Sequence, residues 1–225
     1  MRSSSSTVDP VRARRRRVRR ALLSWAAREG RHFPWRAQDT SPYAVFVAEI
    51  LLKRTTARAV SRTFGPFLDR FDSLASIDAA RSAELERALE GVGLQKQRAR
   101  AFKEIAQHLK ENSGAIVPDN LEALSRIPHV GPYTSRAVMS FAYGVAAAVV
   151  DSNVQRVLGR LFRDSLGSQA SIASVQEAAD CLLPRSKHRE FNWALLDLGA
   201  LVCRYDRPRC EQCPLAKMCD YAGHL

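Results

Sequence analysis

Four of the five cysteines in this chain fall within one short stretch, CRYDRPRCEQCPLAKMC, from Cys203 to Cys219. No feature constrains the fold more, because grouped thiols imply a disulfide staple, a zinc site or an iron–sulfur cluster. The N-terminus carries no signal-peptide apolar region, and no apolar run is long enough to span a bilayer. A reducing, intracellular setting is therefore expected, where structural disulfides are rare. The spacing C-x6-C-x2-C-x5-C suits a metal centre instead: Cys210 and Cys213 can chelate it, and Cys203 and Cys219 can close the shell. Four thiolates serve tetrahedral zinc as well as iron, so spacing alone leaves both open. Cys181 stands apart and is expected to be a buried core thiol.

At 225 residues with 46% hydrophobic and 26% charged, the chain is globular and long enough for one large domain or two small ones. The formal net charge is +12, which favours a polyanionic partner, most simply nucleic acid. Eight arginines against Asp9 crowd the opening MRSSSSTVDPVRARRRRVRR. Residues 1–20 are expected to be a disordered basic tail until phosphates meet it. Beyond it, helical patterns follow one another with short breaks, and no alternating strand pattern appears, so the expected class is all-α. Ser41 and Pro42 read as N-cap and first helical residue. An apolar stripe of Tyr43, Phe46, Val47, Ile50 and Leu51 follows. SAELERALEGVGLQKQRARAFKEIAQHLKENSG reads as two amphipathic helices hinged at Gly91-Val92-Gly93, the second closed by Gly114. Asp151 and Ser152 open a further helix.

The cysteine spacing resembles that of the endonuclease III superfamily of DNA glycosylases, where it holds a [4Fe–4S] cluster. Two further motifs support the resemblance. IPHVGPYTSRAV is similar to that family's helix-hairpin-helix, usually L-P-G-V-G-x-x-T-A, whose turn and following helix N-terminus bind a DNA phosphate. Val130, Gly131 and Thr134 match it, with Gly131 supplying the close approach, and His129 stands where Gly is usual. Twenty residues after Gly131 comes VVDSNVQRVLGRLF. By residue type Asp151 is a helix N-cap; the resemblance implies that it is also catalytic, placing negative charge where a sugar oxocarbenium ion develops. Asn153 matches the DGN of the adenine-removing branch, which implies a role in holding the DNA strand near that aspartate.

Several positions separate the branches. The residue before the hairpin threonine is Lys in enzymes that form a Schiff base and cut the strand. Here it is Tyr133, which cannot form an imine, so the resemblance implies a monofunctional glycosylase. Glu49 is a lone carboxylate in an apolar helix, costly unless it faces a cleft, where desolvation suits it to proton donation. AEILLKRTTA resembles the stretches of the adenine- and thymine-releasing enzymes that carry this glutamate, and Lys53 and Arg54 are expected on phosphates. FPWR and SPYAVFVAEILLKRTTA follow the thymine-releasing form. Leu94 takes the place of a base-stack wedge, against the plain alternative of a buried hinge leucine. Ala57 and Trp193 fall at base-pocket positions; Ala57 matches the thymine branch, Trp193 neither. The adenine enzymes usually continue into an 8-oxoguanine-reading domain, whereas six residues follow Cys219 here.

The resemblance covers roughly residues 22–221. It implies two helical domains flanking a DNA-binding cleft: a six-helix module with the hairpin at 38–145, and an iron–sulfur domain of 21–37 plus 146–225. The implied action is base flipping and hydrolytic removal of a mismatched base, thymine or uracil opposite guanine, from double-stranded DNA. The alternatives are an adenine glycosylase acting on A·G or A·8-oxoguanine, and a non-catalytic DNA-binding iron–sulfur protein. Among the enzymes, a bifunctional lyase comes third, weakened by Tyr133. A cytoplasmic, nucleoid-associated monomer with no membrane partner is expected.

Overall fold

The computed structural model describes residues 8–224. Among them are thirteen α-helices and no strand: α1 (Asp9–Glu29), α2 (Pro42–Leu51), α3 (Ala57–Arg70), α4 (Leu74–Ala79), α5 (Ser82–Ala88), α6 (Gln95–Ser113), α7 (Leu121–Arg126), α8 (Pro132–Phe141), α9 (Ser152–Leu161), α10 (Arg163–Leu166), α11 (Ile172–Leu182), α12 (His188–Leu201) and α13 (Asp220–Gly223). No helix of the described residues is long and apolar enough to cross a membrane. The chain divides into two compact units, one drawn from Met1–Arg31 and Ala146–Leu225, the other His32–Val145.

The middle unit, His32–Val145, holds α2 to α8, seven helices where the resemblance implied six. Between α4 and α5 the chain is extended at Ala80 and Arg81. Its central element is α2, whose residues from Ala44 to Leu51 are all buried. A helix apolar all round is buried all round. Ser41 caps it, accepting from the Ala44 N–H at 3.2 Å, with Pro42 at its first turn. Phe46 and Leu51 on α2, Phe67 on α3, and Phe102 and Ile105 on α6 are fully buried, and the Phe67 and Phe102 rings lie 5.1 Å apart. The hinge falls where the sequence put it, between α5 and α6, with Gly114 at φ 61° ending α6. Residues 32–37 belong here and not with the cysteines, for a packing reason. Trp35 is buried, stacked on Phe33 at 4.7 Å and edge-on to Phe64 at 5.6 Å.

The second unit holds α1 and α9 to α13. The expected disordered tail is corrected here: residues 1–7 lie outside the described part, but from Asp9 the chain is helical. Val11, Val18 and Leu22 are fully buried and Trp25 nearly so, so an apolar seam hidden among the arginines docks α1 on α11 and α12. Arg14 stacks 4.5 Å over the Phe162 ring and pairs with Asp220. Arg19 donates to the carbonyls of Leu182 at 2.6 Å and Leu183 at 2.8 Å, and to that of Cys181 at 3.2 Å, capping the end of α11. Cys181 is half-buried rather than fully buried.

Candidate active site

In the second unit, Asp151 begins α9 and its carboxylate is fixed at both oxygens. Oδ1 accepts from the Val154 N–H at 2.7 Å and Oδ2 from Asn153 Nδ2 at 2.8 Å. The side chain remains partly exposed at the helix N-terminus, where the dipole favours negative charge. Asn153 does not hang free toward a ligand. Its Oδ1 accepts from Arg156 at 2.8 Å, and Arg156 donates onward to the carbonyls of Cys203 and Gly199, each at 2.7 Å. A continuous set of contacts therefore joins the aspartate to the first grouped cysteine.

Two residues that sequence reasoning passed over complete this arrangement. Asn192, buried on α12, accepts from the Val149 N–H at 3.2 Å and donates to the Ala147 carbonyl at 2.8 Å, pinning the segment that leads into Asp151. At Gly199 a Cβ would stand 2.7 Å from the Asn153 Cβ and 3.2 Å from its carbonyl oxygen, so only glycine lets α12 approach α9 this closely. In sequence both are only a polar and a small residue on a helix that also carries His188, Arg189, Glu190 and Asp197. Trp193, next to Asn192, is half-buried on the same helix.

All four grouped cysteines are free thiols. They edge one small cavity of about 30 Å³, walled by Val157, Leu161, Leu198, Val202 and Leu215. Burial pushes the Cys213 thiol up to about 11 and raises those of Cys210 and Cys219, with neighbouring thiols adding to each rise. Arg160 lies 3.5 Å from Cys203 Sγ, donates to the carbonyls of Arg204 and Tyr205, and stacks 4.9 Å over Tyr221. Among the described residues, no three His, Cys, Asp or Glu side chains converge as they would on a single metal ion. The four thiols line one cavity, a donor set that can serve a metal centre, iron–sulfur or zinc.

In the middle unit, Glu49 is 4% exposed within α2. Beyond it, Lys53 donates to the His129 carbonyl, so this lysine is tied to the hairpin. Burial lowers its pKa, opposed by the Glu49 charge. Arg98 holds the same region together. It is 6% exposed and donates to the carbonyls of Ile50 and Leu51 at 3.1 Å and Gly93 at 2.8 Å, and to that of Lys53. Arg54 is exposed at φ 54°, and Ala57 opens α3.

The hairpin runs from α7 to α8. His129 adopts φ 63°, the left-handed conformation for which the family pattern has glycine. Its ring pairs with Glu104 at 2.6 Å, which with Arg100 holds that carboxyl below its usual range. Val130 and Thr134 are buried, and Tyr133 is half-buried on the first turn of α8. Gly131 sits at φ −97°, and a Cβ there would meet nothing within 4 Å, so neither backbone nor packing within the chain demands glycine. Leu94 is 44% exposed at φ 55°, between the hinge and α6. The buried-leucine alternative is thereby overturned. The predicted residues thus fall into two sets: Asp151, Asn153, Trp193 and the cysteines in one unit, and Glu49, Lys53, Arg54, Ala57, Leu94 and the hairpin in the other.

Residues 47–180 match the family model described as HhH-GPD superfamily base excision DNA repair protein. A thymine/uracil-DNA glycosylase of Methanothermobacter thermautotrophicus is 35% identical over 95% of this chain and 96% of its own. An adenine DNA glycosylase of Mycobacterium tuberculosis is 37% identical over 86% of this chain and 64% of its own. The solved structure of a thermostable thymine-DNA glycosylase superposes with a TM-score of 0.90 at 33% identity, covering 96% of this chain and 100% of that one.

Proposed function

The chain belongs to the HhH-GPD superfamily of base excision DNA repair proteins, and from that premise we propose that it is a DNA glycosylase releasing thymine or uracil mispaired with guanine. The observation that carries this reading is the Asp151 carboxylate, partly open and locked at both oxygens at a helix N-terminus. As the bond from C1′ to the base nitrogen breaks, positive charge develops on the sugar, and a pre-positioned anion stabilises it without having to reorganise. Water adds its oxygen to C1′, and its proton leaves with the departing base. Glu49 is assigned to the base, as donor or as a partner for its polar edge. Ala57 and Trp193 are each assigned to recognition of the base, and Leu94, exposed at its hinge, is assigned as the wedge that fills the stack when the nucleotide turns out.

For DNA phosphates we assign the backbone of the hairpin at Val130, Gly131 and Thr134 together with Arg54, while Lys53, on the His129 carbonyl, and Asn153, on Asp151, are assigned to bracing the elements that meet the strand. Gly131 agrees with this: a Cβ there would meet nothing within 4 Å, so its backbone stands open to the approach of a phosphate. Cys203, Cys210, Cys213 and Cys219 would hold a [4Fe–4S] cluster, whose contribution is to tie the cysteine loops into one rigid body. Tyr133 in place of an amine argues for hydrolysis without strand cleavage. We place the protein, as a monomer, in the cytoplasm on the nucleoid.

The adenine reading is the second one, favoured by 37% identity to an adenine enzyme and by Asn153. A panel of duplexes with G·T, G·U, A·G and A·8-oxoguanine, scored for base release with and without alkali, separates the readings. Release from G·T and G·U, with strand breaks only after alkali, is expected. Release confined to the adenine pairs would replace the first reading by the second. Breaks without alkali, together with a borohydride-trapped adduct, would overturn the monofunctional assignment.

A further inference from the structure

The arginines of α1 divide into two sets. Arg14 and Arg19 turn inward and are used up on Asp220, Phe162 and the end of α11. Arg12, Arg15, Arg16, Arg17 and Arg20 are exposed. Among the described residues none of these five has a carboxylate partner, and the acids of the helix, Asp9 and Glu29, lie at its two ends. Arg12, Arg16 and Arg20 recur every fourth residue and so form one line, with about 6 Å of helix axis between successive members. Arg15 flanks that line.

Like charges at this spacing repel and weaken a helix. The strain reaches inward too: the Arg19 guanidinium is pushed down by burial first and by the Arg15 charge second. A membrane surface is a poor partner, because an interfacial helix must bury its apolar face in lipid. Here Val11, Val18 and Leu22 are already fully buried in the protein. A rigid line of guanidinium groups suits a polymer with regularly spaced negative charge, and duplex DNA carries one per about 3.4 Å of each strand.

We propose that the outer face of α1 is a second, sequence-independent contact surface for the phosphates of duplex DNA, separate from the residues that excise the base. Its role is to hold the protein on undamaged DNA. The identity of the polyanion rests on the glycosylase reading above.

The test uses the full chain carrying R12Q/R16Q/R20Q. Glutamine keeps a similar helix-forming tendency, and the repulsion is relieved, so the melting temperature should not fall. Affinity for an undamaged duplex is measured across a salt series. Each phosphate contact contributes a slope of about 0.9 in log K against log salt, so loss of three should flatten it by about 2.7. The companion R12K/R16K/R20K keeps the charge and should keep the slope. Base release in a single turnover at saturating enzyme should be unchanged in both variants. An unchanged slope in the Gln variant would overturn the proposal and leave an acidic protein as the better partner. Lost release in that variant at saturation would overturn the claim of separateness. A flattened slope, with no base released by wild type or variant from any mispair, would uphold this face while sinking the glycosylase reading.

Discussion

Each unit has an arginine that gathers backbone carbonyls, and the two differ in where their contacts end. Arg98, in the middle unit, reaches only main chain: the end of α2 at Ile50 and Leu51, then Lys53, then Gly93 at the hinge before Leu94. Arg156, in the cysteine unit, holds Cys203 and Gly199 in the same way but spends a third contact on Asn153, which holds Asp151. The first device fixes a fold; the second also aims a side chain. Loss of Arg98 should therefore appear first in stability, reaching excision only through the backbone at Lys53 and Leu94, and loss of Arg156 in stability and chemistry together.

The largest stability effect is expected from Arg98→Met. Several carbonyls lose a buried donor at once, which costs about 3 kcal/mol or more in denaturant unfolding, while the single-turnover rate of the folded fraction should fall less than on loss of Arg156. Arg156→Met is expected to lower stability by less, about 2 kcal/mol, yet to slow base release about 10–100-fold through misplacement of the carboxylate. Equal slowing by the two variants would erase the distinction. Gly199→Ala sharpens the same side. Its Cβ must displace Asn153, at a cost of about 1–3 kcal/mol, and excision should fall without any loss of Arg156.

The smallest effect is expected at the hairpin. His129→Gly relieves a left-handed backbone but loosens the unfolded chain, and these terms nearly cancel, leaving a shift of about 1 kcal/mol or less. Its signature is in pH. Glu104 is held below the usual carboxylate range, first by His129 and then by Arg100. Its stabilising contribution is therefore present above the unfolded value and is lost as pH falls through the lowered folded value. Acid titrations of unfolding should show a smaller loss in the Gly variant than in wild type.

These arginines also mark where the sequence stopped being readable. Ser41-Pro42, Asp151-Ser152 and the Gly91-Val92-Gly93 hinge announce themselves because caps and turns are local chemistry. The thiols are legible by spacing. Arg98 and Arg156 are not, since arginine on a helix is ordinarily solvated and only the fold reveals which carbonyls it meets. The same blindness, in reverse, made α1 look like a tail: Val11, Val18, Leu22 and Trp25 keep a helical seam, but eight neighbouring arginines masked it. Asn192 and Gly199 act through contacts with residues far away in sequence, and no local pattern records those.

The most direct measurement is single-turnover base release from a G·T duplex by Asp151→Asn, with DNA affinity measured in parallel. Asparagine caps a helix as well as aspartate does, so fold and affinity should persist while the charge is gone. Release slowed by about 10²–10³-fold or more at unchanged affinity is the expected result. Release at the wild-type rate would contradict the assignment of Asp151 as the anion that stabilises the sugar.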